Sequence, residues 1–237
     1  MVGLYPAPTD RDPGGTFGPR VNYFSHLFVA LLAGPVTSAE ALGTVMPDLL
    51  PMAGSRPDVT LLPPEVLTGR AVHHRSDHLF HQHREFTALV HGLRRTLLGA
   101  GLGPGSAHAG AHVGIELLLD GTLSDPALVV AFREAMALGP LVRPALPADG
   151  RPRWDEVTRR VADDEPSALG DPGEVGRRLF RVLARRARLA FPVDDVPVVV
   201  EALASHRPGV VEVAAALLSD VAQGLACSSG AGPAPVP

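Results

Sequence analysis

Proline and glycine divide this chain into pieces of helix length, and no piece alternates apolar and polar residues as a half-buried strand does. Gly34-Pro35 stops an apolar stretch that opens at Asn22, a residue suited to capping a helix. Ser38 opens a second helix, and Pro47 is expected to bend or end it, leaving Asp48 near a terminus among apolar residues. A proline-rich connector covers 51–64. Helical pattern resumes near Pro64, tolerated in a first turn, and continues with a break to about Leu98. The next helix opens at Gly105 or Ser106 and stops at Gly121. Ser124-Asp125-Pro126 starts another, which runs to about Leu138. Four further helices read over 154–164, 173–188, 194–205 and 208–225. Val196 to Val200 is β-branched, but no neighbouring segment would pair with it as a strand. The expectation is an all-α multi-helix bundle. A single helical domain covers 21–227, with a loose arm at 1–20, a loop or subdomain joint at 139–150 and a disordered tail at 228–237.

Composition narrows the function classes. With 46% hydrophobic residues in 237, the chain can build a sizeable core, and a net charge of −4 offers no basic field to draw nucleic acid or a membrane. The longest uninterrupted apolar run, Leu27 to Ala33, is far shorter than the roughly 20 residues that span a bilayer. Residues 1–20 lack the pattern of a signal peptide. A cytoplasmic protein is therefore expected. Its one cysteine, Cys227, excludes an intramolecular disulfide and a thiolate zinc ribbon.

The chemistry-bearing residues are histidines and carboxylates. Five of the ten histidines lie between 73 and 83. Helical spacing puts His73 beside Asp77, groups His74 with His78 and His81, and puts Asp77 beside His81. His108, His112, Glu116 and Asp120 recur every four residues further on. His26 and Asp48 sit singly among apolar residues, where an isolated charge is expensive unless paired or bound to a metal. Taken together, His26, Asp48, His73, Asp77, His112 and Glu116 come from four expected helices and suit a metal site inside a bundle. A histidine and carboxylate set without thiols accepts Mn²⁺, Fe²⁺ or Zn²⁺. Singly, each has a plainer reading: a hydrogen-bonded core histidine, a helix cap, a solvated face, a surface ion pair.

Four short motifs follow one another in a recognisable order. They are Asn22-Tyr23-Phe24-Ser25-His26-Leu27, Gly43-Thr44-Val45-Met46-Pro47-Asp48-Leu49, Gly69-Arg70-Ala71-Val72-His73-His74-Arg75-Ser76-Asp77, and His112-Val113-Gly114-Ile115-Glu116-Leu117-Leu118-Leu119. Their order and spacing over roughly residues 22–120 resemble the acyl carrier protein phosphodiesterases, or holo-ACP hydrolases. The resemblance implies a helical fold related to the HD-type metal phosphohydrolases. It also implies a divalent metal, usually Mn²⁺, and hydrolysis of the phosphodiester that joins 4′-phosphopantetheine to a carrier-protein serine. The chain departs from the family in its fourth motif, where two aspartates are His112 and Glu116 and a histidine is Leu117. It departs again at His74, where the family has arginine. No counterpart covers the proline-rich connector or the C-terminal third.

Under that reading the six residues share the roles of metal ligands and of groups that orient them. Arg75 neutralises phosphate, and His74, His78 or His81 protonates the departing alkoxide. Arg84, Arg94, Arg95 or the arginines of 173–188 would meet an acidic carrier protein. One alternative is an HD-like phosphohydrolase of nucleotides or another small phosphoester, although the adjacent His-Asp pair of that superfamily is missing, the nearest being Asp77-His78. The other is a non-catalytic helical protein that binds metal or a partner.

Overall fold

The computed structural model describes residues 23–184 and 186–229, and these form an all-α assembly with no strand among them. The α-helices run α1 Tyr23–Ala33, α2 Ser38–Ala53, α3 Pro64–Gln82, α4 Arg84–Gly99, α5 Pro104–Asp120, α6 Pro126–Ala137, α7 Arg151–Val161, α8 Pro172–Leu183 and α9 Val196–Ser229. One apolar core draws on every one of them, from Tyr23 in α1 to Leu225 in α9. The expected arm at 1–20 and the cap Asn22 lie outside the described residues, as does the expected tail from residue 230 on, while Ser228 and Ser229, expected in that tail, belong to α9.

Pro47 was expected to bend or end the second helix and Pro51 to open a connector, but α2 runs on to Ala53. The helix starts in a capping box, with Thr37 and Glu40 satisfying each other's backbone N–H groups. It then passes through Pro47 and Pro51 and ends at Gly54, whose φ of 62° only glycine adopts at little cost. A proline inside a helix loses one hydrogen bond and crowds the carbonyl four residues back. At Pro47 the residue four back is Gly43, and burial of Leu42, Val45, Met46 and Leu49 outweighs the loss. A similar override makes α9 continuous, where two helices were expected on either side of Pro208. Ala204, whose carbonyl the proline leaves without its usual partner, faces solvent. Val196 to Val200 is the first part of α9, not a strand.

The break expected between Pro64 and Leu98 falls at His83. Its backbone is extended, and its Nδ1 accepts from the Glu85 N–H, capping α4. The other ring nitrogen reaches Asp220 on α9 at 3.3 Å.

α5 is the central strut. Every residue from Val113 to Asp120 is buried, against α1, α4, α8 and α9. α9 lies along α1, α3, α4, α5 and α8. The stretch Val193–Cys227, most of it α9, is long and apolar enough to cross a membrane by length and composition alone. Here Val199, Leu203, Val210, Leu217, Val221 and Leu225 are buried at helical spacing, so the apolar stripe faces the bundle. The segment 139–150 contains a 3₁₀ turn, Gly139–Ala145. The buried Trp154 indole of α7 donates to the Gly139 carbonyl at 2.8 Å.

The closest helix crossing is that of α2 and α3. A Cβ built on Gly69 would lie 1.9 Å from the Glu40 carbonyl oxygen, and one on Gly43 would lie 2.1 Å from that of Val66. Only two glycines allow the backbones so near. At this crossing Thr44 sends its hydroxyl to the Glu40 carbonyl, and its own carbonyl is exposed to a side chain of α3.

Candidate metal centre

Three buried residues from three helices converge. His26 on α1 is 1% exposed, and Asp48 on α2 and His73 on α3 are each 0% exposed. Each offers a donor atom, and these atoms lie within 4.8 Å of one another. The two imidazole rings sit 4.3 Å apart, and His73 Nε2 is 3.9 Å from Asp48 Oδ1.

Each helix is held in place by a specific device. The first turn of α1 is capped from a distance. The Asp120 carboxylate, at the end of α5, accepts from the Phe24 N–H at 3.2 Å, the Ser25 N–H at 2.7 Å and the Ser25 hydroxyl at 2.5 Å. Tyr23 stacks on Phe132 and donates its hydroxyl to Asp164, which also pairs with Arg178. Burial, and then the Asp164 charge, keep that phenol protonated well above its usual range. Burial likewise lifts the Asp120 carboxyl to about 7, against its bonds to Ser25 and Phe24. α3 presents Val66, Gly69, His73, Ser76 and Phe80 inward at three- and four-residue spacing.

The hydrogen bonds settle which nitrogen carries each proton. His73 Nδ1 lies 3.0 Å from the Thr44 carbonyl, which only accepts, so Nδ1 is the protonated atom. His26 Nδ1 lies 2.6 Å from Ser76 Oγ, whose own hydrogen goes to the His73 carbonyl at 2.9 Å. Ser76 therefore accepts from His26 Nδ1–H. In the neutral form of both rings, Nε2 carries the lone pair, which is the state a metal ligand requires. Two such imidazoles and one carboxylate fit a divalent first-row ion.

The six expected ligands gather in two groups. His26, Asp48 and His73 form the first. His112 and Glu116, both on α5, join His81 of α3 in the second, with donor atoms again within 4.8 Å. Asp77 stands beside this second group, 3.3 Å from His81 Nε2. Of the residues expected to do chemistry around the metal, His74, Arg75 and His78 are all exposed. His74 stands edge-on to His73 with ring centroids 5.4 Å apart. The arginines of α8 are largely spent inside the protein surface. Arg177, Arg178 and Arg181 all reach Glu174, and Arg178 also reaches Asp164. Arg84, Arg94 and Arg95 are exposed.

Sequence reasoning passed over Ser76, Thr44 and Asp120, which orient or carry the ligands, and gave His81 only an acid or solvated role. Ser76 and His81 were within reach, three and eight residues beyond His73 on a helix of known period. Asp120 closed the visible every-four series on α5, but nothing local to it indicates that it caps a helix 95 residues away.

Comparison with protein-family models, curated proteins and solved structures finds no match. The case for function therefore rests on the chain's own geometry.

Proposed function

We propose that this chain is a metal-dependent hydrolase of phosphoesters, with a divalent cation held by His26, Asp48 and His73. The observation that carries the reading is the convergence of His26, Asp48 and His73, three buried residues from three helices whose donor atoms lie within 4.8 Å of one another, with each ring oriented by an oxygen at its Nδ1. A divalent cation supplies Lewis acidity there, making water a nucleophile at neutral pH and polarising a phosphoryl oxygen. The chain's own contribution is to hold the ligands rigidly. Ser76 and the Thr44 carbonyl orient the rings, and the Gly43/Gly69 crossing sets the distance between α2 and α3. His74, exposed and against His73, is the nearest candidate to protonate a leaving alkoxide, with Arg75 as a phosphate contact.

The finer assignment, release of 4′-phosphopantetheine from a carrier protein with Mn²⁺ as the metal, is supported by the motif order over 22–120. The self-paired arginines of α8 lend it little, which leaves Arg84, Arg94 and Arg95 to meet an acidic partner. Hydrolysis of a nucleotide or another small phosphoester uses the same centre.

A second reading is favoured by one observation. All three donors are at most 1% exposed, as in closed structural metal centres, whereas catalytic ones keep a position open to substrate. The deciding experiment starts with metal content of untagged protein. It continues with hydrolysis of holo-carrier protein, nucleotides and generic phosphodiesters, with His73→Ala as control. Stoichiometric metal with metal-dependent turnover supports the hydrolase. Metal that raises Tm without turnover of any ester supports the structural centre. Protein that binds no divalent ion refutes both.

A further inference from the structure

The second group is built as carefully as the first, and it faces out. His81 and His112 are 34% and 24% exposed at the side chain, Asp77 is 16% exposed and Glu116 is 2% exposed. His112 Nε2 lies 3.0 Å from Glu116 Oε1, and His81 Nε2 lies 3.3 Å from Asp77 Oδ1. Two ordinary i,i+4 ion pairs on a protein surface have the same spacing. Three features set these apart.

The first is that the pairs belong to different helices and meet face to face. The His81 and His112 rings stack with centroids 4.7 Å apart and planes 14° from parallel. If both pairs were simple salt bridges, two imidazolium cations would be stacked at that distance, and their repulsion would oppose the arrangement. The second is Glu116. Its Oε2 is buried and has no hydrogen-bond partner among the described residues. A buried carboxylate oxygen without a donor is costly unless a cation meets it. The third is the support. Phe86, 2% exposed, stands edge-on to both rings at 5.6 and 6.1 Å and closes the group on its inner side.

We infer that His81, His112 and Glu116, with Asp77 alongside, form a second divalent-cation site, more accessible than the first and separate from it. Two imidazoles and carboxylate oxygens without thiolate select a first-row ion such as Zn²⁺, Mn²⁺ or Co²⁺. One ion answers the three features together: it takes one nitrogen from each ring and meets the buried Glu116 carboxylate. The inference stands whether or not the first centre hydrolyses anything.

The test is a Co²⁺ titration of the untagged, metal-stripped full chain, with bound ion counted by elemental analysis and its visible absorption recorded. Two equivalents per chain are expected, and EDTA should remove one well before the other. His81→Gln, a half-exposed position that tolerates amide, should bring the count to one and abolish the fast-released ion. His112→Gln should do the same. His73→Ala should remove only the slow ion. A wild-type count of one that His73→Ala abolishes and His81→Gln leaves untouched overturns this site while leaving the first. A count of one with the opposite response supports this site and overturns the first. A count of two that neither His81→Gln nor His112→Gln lowers also overturns it.

Discussion

Replacing Gly69 by alanine tests whether the helix crossing positions the metal centre. Alanine adds one methyl group and, at an exposed helical position, stabilises by up to about 1 kcal/mol over glycine. Here its Cβ would meet the Glu40 carbonyl oxygen at 1.9 Å, where ordinary van der Waals contact begins at 3.4 Å. The obstacle is backbone, so it cannot swing aside, and α2 and α3 must part by about 1.5 Å. That stretches the 3.0 Å bond from His73 Nδ1 to the Thr44 carbonyl to about 4.5 Å, which ends it. Overpacking costs about 1–3 kcal/mol and the lost bond about 1, so the net destabilisation after a propensity gain of about 1 is about 1–3 kcal/mol. Urea unfolding followed by fluorescence of the buried Trp154 measures it, with elemental analysis of metal beside it. Gly99→Ala is the control, because a Cβ there meets nothing within 4 Å and the variant should be as stable as wild type or slightly more so. If Gly69→Ala behaves like Gly99→Ala and keeps its metal, the crossing does not set the site and the argument fails.

Ser76→Ala removes the acceptor that orients His26. It should lower metal affinity about 10- to 100-fold while circular dichroism stays that of wild type; unchanged affinity would show that the Ser76 bond is incidental. Asp120 carries a pH signature. Its folded pKa of about 7 lies above its unfolded value, so its stabilising contribution is complete below about pH 4 and is lost as pH rises through 7. Between pH 5 and 8 wild type should therefore lose about 2–3 kcal/mol relative to Asp120→Asn, read from paired urea titrations. Parallel profiles would contradict the assigned burial. Trp154→Phe deletes a buried N–H bond to the Gly139 carbonyl and should cost about 2 kcal/mol with no change in bound metal. A measured loss under about 0.5 kcal/mol would mean that the turn at 139–145 does not depend on it.

The helices were legible because their apolar periodicity and punctuation agree along most of the chain. The errors share one cause. Pro47, Pro51 and Pro208 are local stop signals that tertiary packing overrides, because apolar residues in the turns before and after each, such as Leu50 and Ala53 or Leu203 and Val210, are buried against other helices. The ligands His26, Asp48 and His73 were legible as charges placed among apolar neighbours, which is a local fact. Their division from His112 and Glu116 was not, since helical spacing tells which residues share a face but not which faces meet. His73 and Asp77 are one turn apart, yet α3 turns the first fully inward and leaves the second at the edge. Asp120 was unreadable for a related reason, because two of its three partners are backbone N–H groups, which carry no side-chain signature.

α5 carries Glu116 and, one turn later, Asp120, about 6 Å further along the axis. One belongs to the outer group, and the other grips the end of the helix that bears His26. The two groups share no donor, but they are geared together by a single stiff rod, buried from Val113 to Asp120. A pull on Glu116 that slides this rod moves the seat of His26 with it. Ions at the two positions would thus sense each other mechanically, and reciprocity requires each to alter the other's affinity by the same factor.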